Sequence, residues 1–443
     1  MLRTKLLFFI IDFLRNTSIK KDLEFLQKSQ WWSKVEIENY QNEKLRKIVR
    51  HAYKNVPYYN KLFNKLKLKP EDIRTKKDLQ KLPILRRKDV ARNLKDLLAV
   101  NANKYNPQKR KTGGTTGVPL VYYSDMNSWS LTWGLKFRAW SWTGYTLGEK
   151  IAILAGSSLI PNQKKKFKKF IWGKLNRMYP MSMTHTNNSM MHNYIRIIKK
   201  EKIHYLRGYP SSLSIFANFV KNQDIKLNIK AVITTAEVLQ PAFRSSIESV
   251  FKCKVLDTYG CADAGANANE CELHDGLHIS HEPSIIEIID FDNNKEVSPG
   301  EKGEIIATSL TNYAMPTLRY APGDLAIKSA KECPCGRKMP LLDKIVGRTT
   351  DIIKFSNGIR LGGPAFTLIF RDFNIKKYQI IQNTLDSIDV NIVKKSNFDK
   401  SEFEEIIKIL RYHTGKNVKI NIHFVNRIKV SKSGKFRFII SNI

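Results

Sequence analysis

Cysteine is scarce in this sequence, with five residues among 443, an odd number. A chain of this length with a framework of disulfide bonds would carry more cysteines, and carry them in pairs, so the scarcity excludes a disulfide-rich secreted scaffold. It predicts a reducing compartment, with the cytoplasm as the expected location. The cysteines are then available for packing or for binding a metal ion.

Long apolar runs are also missing. The stretch near the start, residues 6–11 with Phe13 and Leu14, is interrupted by Asp12 and falls short of the ~20 apolar residues that cross a bilayer. It lacks a small-residue cleavage site, so a signal peptide is not predicted. An amphipathic surface helix fits the pattern better. Peripheral contact with the inner face of the membrane and docking onto the protein's own core both remain open.

Acidic residues are few beside the basic ones: 40 Asp and Glu stand against 76 Lys and Arg, a formal net charge of +36. Nucleic acid, an anionic membrane surface, polyanionic substrates and a lysine-rich solvated surface are all compatible with this excess. No nucleic-acid-binding module is recognisable, so nucleic acid is not the expected partner. The densest basic run, residues 164–171, has apolar residues at helical spacing and predicts either contact with anionic lipid or a solvated helix flank.

Glycine and threonine are concentrated in residues 111–120, which read KTGGTTGVPL. Glycine can adopt positive φ and approach a ligand closely, while hydroxyls and a lysine ammonium can bind phosphate oxygens. The stretch therefore predicts a phosphate-binding loop, although ordinary turns share this composition. It is not a Walker loop, because no Gly-Lys-Ser/Thr follows at the required spacing. The candidate phosphate-binding residues are Lys111, Thr112, Gly113, Gly114, Thr115, Thr116 and Gly117.

Strand and helix patterns alternate between residues 203 and 259. A strand leads into Arg207, a helix continues to Val220, a second strand covers 230–235, a helix begins at Pro241, and a third strand covers 254–259. This βαβ pattern predicts a parallel sheet whose carboxyl edge carries the ligands. We expect a pocket between Arg207, the aromatic helix at 129–142, and residues 237–260.

Six further segments occur in a defined order: 45–59, 235–237, 257–263, 320–325, 345–354 and 431–437. Together with the glycine-rich loop they resemble the adenylate-forming enzymes, specifically the phenylacetate-CoA ligase-like branch that includes the CapK proteins of polysaccharide biosynthesis. Each motif alone is weak, but the order and separation of the motifs make the resemblance specific. It runs from about residue 45 to residue 435.

The resemblance implies an α/β fold. A large N-terminal domain of parallel-rich sheets and helices would precede a small, mobile α+β C-terminal domain. The expected divisions are a helical region at 1–105, the adenylate-forming core at 106–347, and the small domain at 348–443. The resemblance implies Asp351 as the pivot between the large and small domains.

The same resemblance assigns nucleotide-binding roles to five residues. Tyr259 and Gly260 would pack on the adenine, with Glu237 beside it. The Asp324 carboxylate would accept hydrogen bonds from both ribose hydroxyls, a task for which a carboxylate is suited because it accepts two donors at once. Arg348 would pair with phosphate or ribose.

Two residues are implied as catalytic. Lys435 would reach the substrate carboxylate and the α-phosphate, where an ammonium can neutralise developing charge. Asp263 would help to hold magnesium. It stands where the family usually has Glu, and Ala262 where the family has Thr, so its carboxylate is one methylene shorter.

A cysteine and histidine set has the spacing C-x6-H followed by C-x-C. The candidate metal ligands are Cys271, His278, Cys333 and Cys335. Thiolates and imidazole suit tetrahedral zinc, and with four protein ligands the site would be structural. His274 or His281 could replace His278, and buried free cysteines are the alternative to a metal. Cys253 and Cys261 are expected only to pack.

These inferences predict an ATP-dependent, AMP-forming carboxylate ligase of capsule or cell-surface polysaccharide biosynthesis. Its expected partners are a small carboxylate and an acyl acceptor, either CoA or an amine. ATP and magnesium are the expected cofactors, with CoA and a structural zinc as further candidates. The alternative is a catalytically inactive CapK-like scaffold at the membrane surface.

Overall fold

Helices and strands alternate along the chain. The computed structural model describes residues 12, 17–112, 120–156, 159–160, 177–184, 186–291, 293–349, 352–362, 366, 369–370, 373–415, 417–428 and 436–443. The α-helices of these residues are α1 (Ile19–Ser29), α2 (Lys34–Asn55), α3 (Pro57–Lys65), α4 (Arg87–Arg92), α5 (Met126–Ser141), α6 (Asn188–Lys200), α7 (Pro210–Asn222), α8 (Pro241–Phe251) and α9 (Lys400–Thr414). Short 3-10 helices cover Pro70–Asp72, Lys76–Lys81 and Ala102–Tyr105.

The strands fall into a large group before residue 349 and a smaller group after it. The first group comprises β1 (Leu85–Arg86), β2 (Gln108–Lys111), β3 (Val121–Ser124), β4 (Ile151–Ala155), β5 (Met178–Ser182), β6 (Tyr205–Gly208), β7 (Ala231–Thr235), β8 (Lys254–Cys261), β9 (Ala266–Glu270), β10 (Leu277–Ile279), β11 (Ser284–Ile289), β12 (Lys302–Ser309), β13 (Tyr320–Ala321), β14 (Asp324–Lys328) and β15 (Leu341–Arg348). The second comprises β16 (Ile352–Lys354), β17 (Arg360–Gly362), β18 (Ile375–Thr384), β19 (Ser387–Lys394), β20 (Lys419–Phe424) and β21 (Ile439–Ser441).

Helix α2 begins at a capping box, in which the side chains of Ser33 and Glu36 each accept the other residue's backbone N–H. Its apolar residues recur at spacings of three and four, so they share one face, and that face is buried. The buried face comprises Leu45, Ile48, Val49 and Ala52. The helix ends at Val56, because Pro57 starts α3 and cannot continue α2.

One sheet crosses the large domain in the order β1-β13-β12-β14-β15-β10-β9-β8-β7-β6-β4-β5, with β11 paired to β12. The strands from β5 to β8 in this order are parallel. Helices α7 and α8 connect β6 to β7 and β7 to β8, which confirms the predicted βαβ pattern. From β8 to β12 the pairings are antiparallel. The carboxyl ends of the parallel strands therefore lie along one edge.

The small C-terminal sheet has the order β20-β19-β18-β21, with one antiparallel and two parallel pairings. Helix α9 buries Ile406 and Leu410 in a core that also holds Ile380 and Val390 of the sheet. This separate core confirms the predicted fold class, an α/β domain followed by a small α+β domain. The domain boundaries at 105/106 and 347/348 stay predictions.

Two segments with a predicted membrane contact lie outside the described residues: the apolar run at 6–11 with Phe13 and Leu14, and the basic run at 164–171. Of the helices that the structure describes, none is both long enough and apolar enough to cross a lipid bilayer. Contact of this chain with an anionic membrane stays a prediction.

Candidate functional site

Asp324 opens strand β14, and two side chains from other strands of the same sheet hold its carboxylate. Tyr259 of β8 donates its hydroxyl to Oδ2 at 2.9 Å, and Arg348 at the end of β15 places Nε 3.2 Å from Oδ1. Burial, with the Asp324 charge beside it, raises the pKa of Tyr259 well above its usual value, so the phenol stays a donor. Each carboxylate oxygen can accept a second hydrogen bond. The pair can therefore accept two adjacent hydroxyls, as a ribose presents them.

Gly323 permits the turn that brings Asp324 into this position. Its φ is +87°, a conformation that other L residues rarely adopt, and an added Cβ would lie 3.2 Å from the Thr349 hydroxyl. The same turn is closed by a hydrogen bond from the Thr349 N–H to the Gly323 carbonyl at 2.8 Å. The positive φ of this turn thus explains why a glycine precedes Asp324 at the start of β14.

Asp263 follows strand β8 and is held in the same manner as Asp324. The Tyr320 hydroxyl donates to Oδ2 at 2.8 Å, and the Cys261 thiol donates to Oδ1 at 3.0 Å. Burial and then the Asp263 charge raise the pKa of the Cys261 thiol well above its usual value, so it remains protonated. The prediction that Cys261 only packs is therefore incomplete. Asp263 keeps acceptor capacity for a cation or a water.

Both carboxylates line one cavity, which we call the sheet-edge cavity. Its lining also includes Lys111 and Thr112 at the start of the glycine-rich loop. Thr112 and Leu120 pair across the base of that loop: the Thr112 N–H donates to the Leu120 carbonyl at 2.9 Å, and the Leu120 N–H to Thr112 Oγ1 at 3.0 Å. The ends of the predicted phosphate-binding loop thus open onto the cavity that holds Asp263 and Asp324.

Glu237 lies at an adjoining cavity between the two domains, the interdomain cavity, which shares Tyr259, Asp324 and Arg348 with the sheet-edge cavity. Its Oε2 accepts the Ser211 N–H at 3.2 Å, and its Oε1 accepts the Phe436 N–H at 2.9 Å. Ser211 lies in the first turn of α7, whereas Phe436 belongs to the C-terminal domain. Glu237 therefore joins the large domain to the small one.

The four candidate metal ligands meet in one cluster, and their ligand atoms all lie within 4.8 Å of one another. Cys271 Sγ is 3.6 Å from Cys333 Sγ, and Cys335 Sγ is 3.5 Å from His278 Nε2. Burial lowers the pKa of His278 to about 4, which keeps the imidazole in the neutral, metal-binding form. The sequence-predicted set is brought together in full.

These spacings fit a tetrahedral zinc ion. Zinc–sulfur bonds of about 2.3 Å and zinc–nitrogen bonds of about 2.0–2.1 Å place two sulfurs about 3.8 Å apart and a sulfur and a nitrogen about 3.5 Å apart at tetrahedral angles. His274 instead contacts Glu270, at 3.2 Å, and His281 lies 3.5 Å from Glu282. Neither histidine belongs to the cluster, so His278 is the histidine that fits.

Comparisons with known proteins agree with this geometry. Residues 357–442 match the family described as the CapK C-terminal domain. Protein CapK of Staphylococcus aureus is 26% identical over 412 residues, which cover 91% of this chain and 89% of that protein. The phenylacetate-coenzyme A ligase of Aromatoleum evansii is 29% identical over 352 residues, which cover 75% of this chain and 74% of that protein. The resemblance to the CapK-like branch of the adenylate-forming ligases is confirmed.

Solved structures extend the likeness of this CapK-like chain to the whole fold. A crystal structure of 2-hydroxyisobutyryl-CoA ligase in complex with 2-HIB-AMP has a TM-score of 0.75 at 17% identity, covering 94% of this chain and 93% of that one. The predicted enzyme class, an AMP-forming ligase, is borne out by the phenylacetate-coenzyme A ligases among the relatives. The comparisons give no support to a catalytically inactive scaffold.

Several predicted site residues of the CapK-like chain lie outside the described residues. They are Gly113, Gly114, Thr115, Thr116 and Gly117 of the phosphate-binding loop, the pivot Asp351, and the catalytic Lys435. Their roles stay predictions. Gly260 is described and lines both cavities beside Tyr259.

Three cationic residues of the cavity were given no role by the sequence, although Arg207 and the helix that carries Lys136 belong to the predicted pocket. Arg87, from the N-terminal helical region, donates to Thr112 Oγ1 at 3.0 Å. Lys136 of α5 and Arg207 of β6 line the sheet-edge cavity. The Arg-Gly-Tyr-Pro turn marked the region of Arg207, but no sequence signal distinguished Lys136 or Arg87 from the other lysines and arginines of so basic a chain.

Proposed function

We propose that this protein is an ATP-dependent, AMP-forming ligase that activates a small carboxylic acid as its acyl-adenylate. The observation that carries the proposal is the convergence of Tyr259, Asp324 and Arg348 with Asp263 on one cavity, onto which the base of the glycine-rich loop also opens. An aromatic ring, a carboxylate with spare acceptor capacity and a cation match the adenine, ribose and phosphate of a nucleotide.

In the first step, a carboxylate oxygen of the substrate attacks the α-phosphorus of ATP. A new phosphorus–oxygen bond forms, the α–β phosphoanhydride bond breaks, and pyrophosphate leaves. Asp324 holds the ribose, while Lys111, Thr112 and Arg87 lie where the phosphates enter. Lys435 is the ammonium proposed to neutralise charge on the reacting phosphate. The work is positioning and electrostatic stabilisation, so no covalent protein intermediate is needed.

Magnesium, when bound, neutralises phosphate charge and orients the leaving pyrophosphate. Asp263 is the residue proposed to hold it. The donor set fits this role, since carboxylate oxygens suit magnesium and the Tyr320 and Cys261 donors leave acceptor capacity on both Asp263 oxygens.

In the second step, the acyl-adenylate reacts with a thiol or an amine. The nucleophile bonds to the acyl carbon, the carbon–oxygen bond to AMP breaks, and the nucleophile gives up a proton. CoA is supported by a neighbour whose structure holds 2-HIB-AMP and CoA. An amine is supported by a relative named indoleacetate–lysine synthetase, 28% identical over 155 residues. Rotation of the C-terminal domain about Asp351 is proposed to separate the two steps.

The test is carboxylate-dependent exchange of labelled pyrophosphate into ATP, run across aryl, acyl, dicarboxylic and amino acids. We expect at least one acid to support exchange and Asp324→Asn to suppress it. Asp343→Asn, on a strand of the same sheet outside both cavities, is the matched control and should retain exchange. Silence across the whole panel from protein that binds ATP would contradict adenylation.

We further propose that Cys271, His278, Cys333 and Cys335 bind a structural zinc ion. Elemental analysis of the purified protein should find one zinc per chain and less than a tenth of that in Cys335→Ser. A metal-free wild-type protein that is folded and thermally stable would rule out the zinc.

Cell-surface polysaccharide biosynthesis is the proposed setting, supported by the CapK similarity over 91% of the chain. A knockout strain of the source organism should lose an acyl or amide modification of its surface polysaccharide, detected by NMR of the isolated polymer. An unchanged polymer would contradict this setting while leaving the ligase chemistry standing.

A further inference from the structure

One end of the sheet-edge cavity is lined by a face of helix α5. Thr132, Lys136 and Trp140 stand four residues apart, so they share this face, and all three line the cavity. The helix is fixed from its opposite side, where the buried Arg138 bonds Glu282 and Ser280. The position of Lys136 is therefore set by the fold.

Arg207 of strand β6 lines the same end. Its guanidinium lies 5.6 Å from the centre of the Trp140 ring, and the residue is 9% exposed. Its buried Nε has no hydrogen-bond partner. The next residue is glycine because a Cβ on Gly208 would lie 2.0 Å from the Leu154 carbonyl oxygen of the adjoining strand. The backbone around Arg207 is thus tightly packed, while no hydrogen bond within the described residues reaches its Nε.

The other buried arginines of the described residues each meet a glutamate. These pairs are Arg138 with Glu282 at 2.5 Å, Arg319 with Glu287 at 3.1 Å, and Arg337 with Glu272 at 3.6 Å. Across the part of the chain that the structure describes, Arg207 and Lys136 form no ion pair with a carboxylate. A buried cation without an anion is costly, so proteins normally supply one. Lys136 and Arg207 instead lie beside tryptophan rings, Trp133 at 4.2 Å and Trp140 at 5.6 Å.

The electrostatic surroundings of Lys136 also show that no carboxylate of the described residues lies beside it. Burial, together with the charges of Arg207 and Arg110, lowers the pKa of Lys136 to about 7, with no carboxylate acting against them. Asp263 and Asp324 line the same cavity but are held by their own donors. Among the lining residues that α5 and β6 supply, the charged side chains are thus Lys136 and Arg207, both cations.

The geometry points to a carboxylic acid substrate that carries a second anionic group, a carboxylate or a phosphate, which Lys136 and Arg207 bind while the first carboxylate is activated. This inference rests on the proposed function and names its substrate class. The partners proposed for the phosphates of ATP are Arg87, Lys111 and Thr112 at the loop base, which leaves this cation pair for the acid.

The test measures binding without catalysis. The probes are straight-chain diacids from succinate to suberate, their monomethyl esters, and phosphonocarboxylic acids of matching length, each added to the full chain in a thermal-shift titration without ATP. We expect at least one dianionic probe to bind at least tenfold more tightly than the monoester of the same length. Comparison of diacid with phosphonate identifies which anion is preferred.

Variants assign the effect to the two cations. Lys136→Met and Arg207→Met should each weaken the binding of the dianionic probe at least tenfold. They should also bring the ratio of diacid to monoester affinity towards one. Arg207→Lys should retain more of the affinity than Arg207→Met, which separates a charge effect from a packing defect. Lys221→Met, an exposed lysine on α7, is the control and should bind as the wild type does.

Equal affinity for diacid and monoester at every length, no binding by any dianionic probe, or full affinity in both methionine variants would overturn the inference. The inference would also be overturned if the variants weakened the binding of ATP instead of the acid, since the two cations would then bind the nucleotide. Pyrophosphate exchange run in parallel tests the proposed function separately. Selective dianion binding without exchange would count against adenylation and still support the dianion site.

Discussion

Two polar clusters lie on the same large sheet and differ in what completes them. In the carboxylate cluster, Asp263 and Asp324 each receive two donors from tyrosine, cysteine or arginine side chains, so the protein itself satisfies the charges. In the cysteine and histidine cluster, three thiols and one imidazole face one another, and their ligand atoms all lie within 4.8 Å of one another. The first cluster is complete without a ligand, whereas the second has a geometry that a metal centre explains.

The difference teaches that a preorganised substrate site and a metal site place opposite demands on their neighbours. A site that binds and releases nucleotide must remain folded while empty, and internal donors achieve this for Asp324. A structural metal remains bound, so its ligands need no other partner and depend on it for stability. Substitutions in the two clusters should therefore have different consequences, with stability lost in one and activity lost in the other.

The largest expected effect is on stability. Cys335→Ser should remove the metal and lower the free energy of unfolding by about 4–5 kcal/mol, because loss of a bound metal is among the most destabilising single changes. Urea denaturation followed by circular dichroism measures this. Cys253→Ser, a half-buried thiol outside the cluster, should lie within about 1 kcal/mol of the wild type. Equal stability of the two variants would contradict the metal-centre interpretation.

Asp324→Asn should have the largest effect on activity. The amide cannot accept two ribose hydroxyls as a carboxylate does, and Arg348 loses its charged partner. We expect kcat/KM for ATP to fall about 100-fold, or about 2.7 kcal/mol, with the free energy of unfolding nearly unchanged. A pyrophosphate-exchange titration of ATP measures the fall. A loss of stability as large as that of Cys335→Ser would remove the contrast between the clusters.

Asp263→Asn should act through magnesium. Removing the negative charge weakens the metal's attraction, and we expect about a tenfold rise in the magnesium concentration that gives half-maximal exchange, about 1.4 kcal/mol. Asp263→Glu introduces the residue that the resembled family usually has at this position. The magnesium concentration that gives half-maximal exchange should stay within about threefold of the wild-type value. If Asn and Glu variants titrate alike, Asp263 does not hold the metal.

Tyr259→Phe should have the smallest effect. The ring remains available for packing, and only the hydrogen bond to Asp324 is lost, so ATP affinity should weaken by about 1 kcal/mol, or about fivefold. A thermal-shift titration with magnesium and ATP measures it. The control is Tyr412→Phe, an exposed tyrosine on α9, for which no change is expected. A loss as large as that of Asp324→Asn would mean that the hydroxyl, rather than the ring, binds the nucleotide.

The carboxylate cluster could largely be predicted because its motifs resemble those of a known family in their order and separation. Strand patterns alone do not bring Tyr259, Asp324 and Arg348 together, since β14 and β15 lie in the antiparallel part of the sheet. The metal ligands were similarly marked by their spacing. In both cases the residue type is rare or the local pattern is distinctive.

The cation pair could not be predicted in this way. Helical spacing indicates that Lys136 shares a face with Trp140, but it does not indicate which face lines a cavity. What distinguishes Arg207 is that no glutamate lies beside it in the folded protein. The sequence does not show which residues become its neighbours in space. The donation from Cys261 to Asp263 was missed because a thiol two residues before a carboxylate usually has no hydrogen bond to it.

The two hydrogen bonds of Glu237 have a mechanical consequence. One carboxylate is shared between the first turn of α7, four residues after Arg207, and the backbone of Phe436, the residue that follows Lys435 in the sequence. The movement of the small domain, which stays a prediction, would break the bond of Oε1 to Phe436 while Oε2 keeps the Ser211 N–H. Glu237 is therefore the side chain through which such a movement would reach the first turn of α7.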